Sequence, residues 1–162
     1  MDHLSTAQRS RVMSRIRSRD TKPEQFVRRR FWSQGFRYAR SSYQLPGTPD
    51  LLLPRYKVAI FVHGCFWHAH NCSRGRLPAT NSGFWRVKLE GNKKRDQRTL
   101  RQLRLLGWHC FQIWQCRLKS DTQKAITLAQ AIRRDRVRGA QCVSASRSKS
   151  GFVRGNSIGL RR

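Results

Sequence analysis

Apolar and polar positions are arranged in short blocks that predict an α/β domain. The continuous apolar, β-branched block at residues 58–62 is typical of a buried strand, predicted over residues 56–63, and residues 50–53 predict a short partner strand joined to it by a tight turn. Residues 108–114 predict a further strand, whereas residues 36–43 alternate weakly and predict a poorer one. Asp50 begins one strand of the expected hairpin and His63 ends the other, so the two side chains are expected to be neighbours.

Helical patterns lie between and around these strands. A capping box at residues 21–24 begins one helix, which Gly35 ends. A helical region starts at Phe84, has Gly91 as a potential break, and continues as a longer helix whose leucines and arginines each repeat every three residues. The last helix is expected to begin with a cap at residues 120–123.

The net charge of the chain indicates what class of molecule it binds. The 162 residues contain 35 Lys and Arg against 8 Asp and Glu, a formal net charge of +27. Such a field favours a polyanion, and nucleic acid is the most plausible one. The chain has no apolar run of about 18 residues that could span a membrane, and its N-terminus lacks the apolar core of a secretion signal. We therefore expect a cytoplasmic protein with reduced or metal-bound cysteines.

The composition also divides the chain in two. Residues 1–135 hold all the predicted strands and helices and are expected to form one domain. Residues 136–162 contain seven basic side chains, no acid, and many Ser and Gly. This tail is predicted to be disordered and to add non-specific attraction to phosphate.

Metal ligands are concentrated after the central strand. Cys65, His70 and Cys72 lie within eight residues, and Cys116 follows the strand at residues 108–114. Three clustered ligands and a distant fourth suit a tetrahedral zinc site of the Cys₃His type, which would be structural because every position is filled. The alternative is that these are scattered core cysteines, as Cys110 is expected to be.

Polar residues near this cluster that are not needed as zinc ligands are candidates for a catalytic role. His63 and His68 flank Cys65, and Asp50 could bind Mg²⁺ through a carboxylate oxygen. Asp96 could fix the tautomer of a histidine, or it could be a surface partner for the neighbouring Lys and Arg side chains.

Two further residues have two interpretations each. Glu24 fits the reciprocal member of its capping box, with Phe26, Val27, Arg30 and Phe31 near the inner face of the helix, or it fits a metal site. Met13, on a short basic helix that begins near Ser5, could pack on the core or insert into a nucleic-acid groove. The pattern alone favours capping for Glu24 and packing for Met13.

Two adjacent aromatic pairs have no periodic relation to their neighbours. These are Phe66-Trp67 and Phe84-Trp85. Stacking on nucleic-acid bases is a plausible use, although one ring of each pair could pack inward.

Together these motifs resemble the very-short-patch repair (Vsr) endonucleases. The resemblance is carried by residues 61–72, which read Phe-Val-His-Gly-Cys-Phe-Trp-His-Ala-His-Asn-Cys, and by residues 45–50, 78–80, 84–85, 92, 95–96 and 106–108. It covers residues 9–118. It implies a restriction-endonuclease-like core, a mixed sheet with helices on both sides. It also implies a nickase that cuts double-stranded DNA 5′ of the thymine in T:G mismatches left by deamination of 5-methylcytosine.

The resemblance also implies a catalytic set. Asp50 and the backbone carbonyl of Val62 would bind Mg²⁺. His68, oriented by Asp96, would act as general base or position the water. His63 and Glu24 would support the water shell of the metal, which replaces the capping interpretation of Glu24.

Zinc and DNA contacts are implied in the same way. The structural zinc ligands would be Cys65, His70, Cys72 and Cys116. The intercalating aromatics would be Phe66, Trp67 and Trp85, with Met13 as the wedge from the other groove, and the contacts to the mismatched bases would come from Lys88 and Asn92.

The sequence departs from the pattern at two places. The Glu-x-Lys motif of other nucleases is replaced by Phe61-Val62-His63, as in this family, and Val62 stands where threonine is expected. If only its carbonyl binds metal, valine serves equally well. The long basic tail is unfamiliar.

Several questions of partner and class stay open at this point. The resemblance implies a monomeric bacterial enzyme at the nucleoid, with a MutL-type repair protein as a candidate partner. Two rival hypotheses are a restriction endonuclease of the same fold and a non-catalytic, zinc-stabilised nucleic-acid-binding protein.

Overall fold

The computed structural model describes residues 8, 11, 19–40 and 44–147, with side chains up to residue 136. Within these ranges a mixed α/β fold is formed by three longer helices and three strands. In chain order they are α1 (Lys22–Ser33), β1 (Leu51–Leu53), β2 (Val58–His63), α2 (Ser82–Leu105), β3 (His109–Trp114) and α3 (Leu118–Arg147). None of the helices in the described ranges is long and apolar enough to cross a membrane.

The strands form one mixed sheet in the order β1-β2-β3. β1 pairs antiparallel with β2, with Leu51 opposite Ile60, so the predicted hairpin is confirmed. β2 pairs parallel with β3, with His63 opposite Trp114. Because paired parallel strands end at the same edge of a sheet, the segments that follow β2 and β3 begin side by side.

Helices cover both faces of this sheet. One face packs against α1 and α3 through a cluster that includes Phe31, Ile60 and Ile126. The other face packs against α2 through a cluster that includes Phe61 and Leu103. The alternation along β2 places Ile60 and Phe61 on opposite faces, as the two-residue period of a strand requires. The mixed sheet between helices agrees with the expected layer arrangement.

The strand predicted at residues 36–43 is not formed in the described part. Ala39 alone pairs with Leu52, in an isolated antiparallel bridge, and residues 41–43 lie outside the described ranges. The segment around Ala39 carries Arg37 and Arg40, which leave it no continuous apolar side to bury against the sheet.

The predicted helix boundaries need three corrections. α2 runs through Gly91 without a break, because one exposed glycine costs only about 1 kcal/mol relative to alanine and the helix has 24 residues. α3 begins at Leu118 instead of at the predicted cap, and the Asp121 carboxylate there accepts the Trp114 N–H at 3.2 Å. α3 also continues to Arg147, past the start of the predicted tail. The division into residues 1–135 and 136–162 stays a prediction.

Candidate active site

The β1–β2 hairpin fixes the position of Asp50. Its N–H donates to the Ile60 carbonyl at 2.9 Å, and its side-chain Oδ2 accepts the Val62 N–H at 2.7 Å. The preceding turn approaches α2 closely: Gly47 has a left-handed φ of 71°, and a Cβ there would collide with the side chain of Thr99. The turn and the strand pair therefore hold the Asp50 carboxylate between the sheet and α2.

Asp50 faces a cavity of about 300 Å³ that also receives every other side chain predicted for the catalytic set. The lining includes Glu24, Asp50, Val62, His63, His68 and Asp96. These residues come from α1, the β1–β2 hairpin, the loop after β2 and α2. The structure thus brings the set together, although its members span more than seventy positions of the chain.

The environment of Asp50 is unfavourable for an isolated carboxylate. The pKa of Asp50 is raised to about 6, chiefly by burial and also by the nearby Glu24 carboxylate, against the opposing effects of the Val62 N–H and Arg28. Two acids beside one cavity form an oxygen-rich donor set, in which Asp50 keeps a raised pKa even though Arg28 lies near both carboxylates. Such a set fits a divalent cation with a preference for oxygen ligands.

This environment predicts a pH-dependent stability effect for Asp50→Asn in protein kept free of Mg²⁺. Folding raises the pKa of the Asp50 carboxyl from 3.8 to about 6, so the protonated carboxyl contributes to the free energy of unfolding at low pH. This contribution is lost as the pH rises through 6. Asparagine keeps the acceptor for Val62 and does not titrate. The stability gain of the variant over wild type should be larger at pH 8 than at pH 5 by about 1 kcal/mol. Denaturant unfolding at both pH values measures it, and a pH-independent difference would contradict the assignment.

His63 and His68 form a parallel ring stack. Their centroids lie 3.8 Å apart with planes inclined by 4°. The pKa of His63 is lowered to about 4, chiefly by burial and also by the neighbouring His68, against the opposing effect of Asp96. At neutral pH His63 is therefore an uncharged imidazole, which allows the close stack with His68. Its Nδ1 lies 3.4 Å from the Gln112 side-chain nitrogen.

His68 is oriented by Asp96. Its Nδ1 lies 2.6 Å from Asp96 Oδ2, and both side chains are about one-fifth exposed. The carboxylate favours a proton on Nδ1 and so leaves Nε2 as the unprotonated nitrogen of a neutral ring. Among the described residues Asp96 thus pairs with His68 and lies where its carboxylate can orient the imidazole.

Glu24 is both a helix-start acceptor and a cavity residue. One carboxylate oxygen accepts the Thr21 hydroxyl at 2.7 Å, and the other accepts the Asp20 N–H at 2.9 Å. The reciprocal capping box is not formed, because the Thr21 hydroxyl donates to Glu24 and caps no backbone N–H. The side chain is buried and lines the cavity beside Asp50.

The predicted metal ligands converge at the edge of the sheet where β2 and β3 both end. One ligand atom from each of four side chains lies within 4.8 Å of the others, and the four are Cys65, His70, Cys72 and Cys116. A Cβ at Gly75 would collide with the His70 carbonyl, so the loop can close this tightly only with glycine there. The ligands are gathered and not scattered through the core. This donor set fits a metal ion that accepts sulfur and nitrogen.

The surroundings of this cluster shift the pKa values of two of its thiols in opposite directions. The neighbouring His70 lowers the pKa of Cys72 to about 6, whereas burial raises the pKa of Cys65 to about 11. Cys116 Sγ lies 3.5 Å from His70 Nδ1. Cys110, by contrast, is away from this cluster and packs partly buried against the α2-side core, as predicted.

Three of the four rings of the two adjacent aromatic pairs are in mutual contact, and the fourth contacts one of them. The rings of Phe66, Trp67 and Trp85 meet edge to face at centroid distances of 5.0, 5.1 and 6.0 Å. Phe84 touches Trp85 and is 61% exposed. We call these four rings the aromatic cluster. Their arrangement supports mutual packing in the free protein and leaves a partly exposed apolar surface.

The two predicted base contacts lie along this cluster. The Lys88 ammonium is 5.6 Å from the Phe84 ring and 6.0 Å from the Trp85 ring. The side-chain Nδ2 of Asn92 donates to the Trp67 backbone carbonyl at 2.9 Å, and the side-chain Oδ1 of Asn92 accepts from the Arg95 guanidinium at 2.8 Å. Met13, the predicted wedge, lies outside the described residues.

Sequence reasoning missed two residues that join these sites. Trp114 contacts a histidine of each site: its ring centroid is 4.2 Å from that of His70 and 5.2 Å from that of His63. Its place two residues before Cys116, at the end of a predicted strand, was the available signal.

Arg28 is buried below the cavity, whereas Arg30, predicted to face inward, is exposed. The four-residue spacing from Glu24 could have indicated Arg28.

Comparison with known proteins gives the family. The family described as DNA mismatch endonuclease Vsr matches residues 1–74. The type II nicking enzyme V.NmeAIP of Neisseria meningitidis is 40% identical over 119 residues, which cover 74% of this chain and 85% of that protein. V.XorIIP of Xanthomonas oryzae is 43% identical over 72% of this chain and 86% of its own length. The DNA mismatch endonuclease Vsr of Escherichia coli is 38% identical over 75% of this chain and 80% of its own length. The chain therefore belongs to the Vsr family of DNA mismatch endonucleases and is a DNA endonuclease.

Proposed function

We propose that this protein nicks one strand of double-stranded DNA on the 5′ side of the thymine in a T:G mismatch, in a reaction that depends on Mg²⁺. The mismatch would be the one left by deamination of 5-methylcytosine. The observation that carries the proposal is the single cavity lined by Asp50, Glu24, His63, His68 and Asp96. A mixed sheet between helices supports the restriction-endonuclease-like fold that we propose for it.

Asp50 and the main chain of Val62 are the proposed ligands of Mg²⁺. The side chain of Val62 packs against the core on the α1 and α3 side, which supports a role for its backbone alone and makes valine acceptable where threonine was expected. When bound, Mg²⁺ supplies positive charge that stabilises the negative charge developing on the scissile phosphate. Glu24 and His63 border the same space and would hold water molecules in place by hydrogen bonds.

His68 is the proposed general base. Since its Nδ1 is engaged by Asp96 at 2.6 Å, Nε2 is the nitrogen that can accept a proton from the attacking water. Neutral His63 stacks on the ring and restricts its rotation, which keeps Nε2 directed at one position. Asp96 also stabilises the imidazolium that forms when the proton is transferred.

Zinc is the proposed ion of the Cys₃His cluster. Thiolate and imidazole ligands in a set of four suit tetrahedral Zn²⁺, and no ligand position is left for substrate. The role would be structural: the ion would fasten the loop after β2 to the segment after β3. That loop carries His68 as well as Phe66 and Trp67.

The aromatic cluster is proposed to recognise the mismatch. Phe66, Trp67 and Trp85 would intercalate beside the mispair, with Met13 inserted from the other groove and with Lys88 and Asn92 contacting the bases. Opening a base step costs a few kcal/mol, and less at a mispair, so insertion would favour mismatched DNA. Asn92 would exchange its bond to the Trp67 carbonyl for a bond to a base.

A strand-resolved nicking assay tests the proposal. It uses end-labelled duplexes with one T:G mismatch in several methyltransferase-type sequence contexts and a matched T:A control, with and without Mg²⁺. A Mg²⁺-dependent nick 5′ of the mismatched thymine is the expected result. Cleavage of both strands of the matched duplex would instead establish the restriction-endonuclease alternative. Binding without cleavage under all conditions would contradict the catalytic proposal and favour the zinc-stabilised binder.

Partners and assembly follow from the same proposal. Double-stranded DNA is the proposed substrate, a MutL-type repair protein is a proposed partner, and the enzyme is proposed to act as a monomer in the bacterial cytoplasm at the nucleoid. Addition of a purified MutL-type protein to the nicking assay, and sedimentation of the free enzyme, would test the last two points.

Asp96→Asn and His68→Ala are expected to slow the nicking step by about 10²-fold or more without weakening DNA binding. Asparagine cannot stabilise the imidazolium or enforce the tautomer, and alanine removes the base. Because the two side chains act as one unit, the double variant should be about as slow as the slower single variant. Single-turnover rates measure this. Glu90→Gln, an exposed acid on the same helix, is the control, and additive losses would contradict the pairing.

A further inference from the structure

Arg28 is a buried guanidinium that lines a second cavity, of about 240 Å³, together with Asp20, Glu24 and Asp50. It is 8% exposed, and its fork reaches three acceptors from two separate parts of the chain. NH1 lies 2.5 Å from the Asp20 carboxylate, NH2 lies 3.0 Å from Glu24 Oε2, and Nε donates to the backbone carbonyl of Asp50 at 3.3 Å. One side chain therefore joins the start of α1 to the start of β1.

These contacts leave the Glu24 carboxylate little freedom. Its two oxygens already accept the Thr21 hydroxyl and the Asp20 N–H, and Arg28 adds a charge-assisted bond to one of them. The bond from Arg28 to the Asp50 carbonyl fixes the other acid through its main chain. Arg28 thus bonds to both acids, and it couples the Glu24 carboxylate to the main chain of Asp50 in addition to the local bonds that hold each carboxylate.

Burial makes a space-filling role a poor explanation for this arginine. Removing a guanidinium from water costs several kcal/mol, and a hydrophobic residue of similar size would often be at least as stabilising. The cost is offset only where the fork has well-placed acceptors, and here two of the three acceptors belong to the acids that line the cavity. A flexible single ammonium could not satisfy all three at once.

We propose that Arg28 is a positioning residue, which holds Glu24 and Asp50 at the spacing that a divalent cation requires. This rests on the proposed function, because it concerns the same metal site. Arg28 does not bind the cation, since like charges repel. It acts through the two acids, and its loss would weaken cation binding before it affects the reaction of the loaded enzyme or the binding of DNA.

Direct metal binding separates this role from a structural one. We would titrate Mn²⁺ into the full, zinc-loaded chain and follow free Mn²⁺ by electron paramagnetic resonance, for wild type, Arg28→Met and Arg28→Lys. Both variants should bind Mn²⁺ at least about tenfold more weakly, as is typical when a group behind a metal ligand is removed. Lysine keeps the charge but not the fork, so it should not restore the affinity. Arg29→Met, an exposed neighbour on α1, is the matched control and should bind like wild type.

Kinetics give the second readout. The Mg²⁺ concentration for half-maximal nicking should rise by about the same factor, while the KM for DNA is unchanged and the rate recovers at saturating Mg²⁺. Unchanged Mn²⁺ affinity in folded Arg28→Met would overturn the proposal and leave a structural role. If Arg28→Met does not fold, the Mn²⁺ affinity of Arg28→Lys is the test. A wild-type Mn²⁺ affinity of Arg28→Lys would overturn the proposal equally.

The outcomes also distinguish this proposal from the proposed function. If wild type cuts no T:G duplex but its Mn²⁺ affinity depends on Arg28, the reaction is assigned wrongly and the positioning role stands. If nicking is confirmed and both Arg28 variants bind Mn²⁺ normally, the reaction stands and the positioning role is wrong.

Discussion

Asp50→Ala is expected to lower the single-turnover nicking rate by at least about 10³-fold, because it removes the proposed metal ligand together with the charge stabilisation that the ligand organises. The carboxylate is the group that the β1–β2 hairpin directs into the cavity, and its Oδ2 is fixed by the Val62 N–H at 2.7 Å. Affinity for the mismatched duplex should stay within a few-fold of wild type or increase, since the change removes a negative charge near phosphate.

The measurement is the nicking rate with enzyme in excess over labelled T:G duplex, with affinity measured separately by mobility shift in Ca²⁺. Asp135→Ala, an exposed acid on α3, is the control for a change of net charge. A rate for Asp50→Ala within tenfold of wild type would exclude Asp50 as the metal ligand. Loss of both affinity and rate would instead point to a disturbed hairpin, which a thermal unfolding curve would reveal.

Loss of the proposed zinc ion from the Cys₃His cluster should unfold the protein or nearly so. Structural zinc sites contribute about 10 to 16 kcal/mol of apparent binding free energy at neutral pH, which is comparable to the whole stability of a small domain, about 5 to 15 kcal/mol. Cys116→Ser removes the ligand that connects the segment after β3 to the loop after β2. We expect the variant to lose bound zinc and the cooperative thermal transition of wild type.

Metal analysis of the purified protein and circular dichroism during heating measure both effects. Cys110→Ser is the matched control, because Cys110 is partly buried but lies away from the cluster. It should retain one zinc per chain and show at most a modest decrease in Tm. Full thermal stability of Cys116→Ser with no bound zinc would show that the loop holds its shape without the ion.

The central strand and its ligands were predictable because their signals are local. The apolar run of β2 admits one interpretation, and Cys65, His70 and Cys72 lie so close in sequence that the loop must bring them near one another. Asp50 was placed correctly for the same reason: a short hairpin leaves few registers, and the observed one sets Leu51 opposite Ile60. Helix limits at Gly91 and residue 120 were wrong, because a weak local preference loses to the packing of a long helix on the sheet.

The sequence by itself determined the donor types, the basic field and the strand that carries the site. Only the tertiary structure decided which distant groups meet. Parallel pairing of β2 with β3 places Cys116 beside the loop of Cys65, and packing of α2 on the sheet brings Asp96 to His68 across 28 positions. Arg28 was assigned no role, because its contact with the Asp50 carbonyl, 22 positions away, forms only in the folded domain. Local preference acts over a few residues, whereas these contacts depend on burial shared by the whole domain.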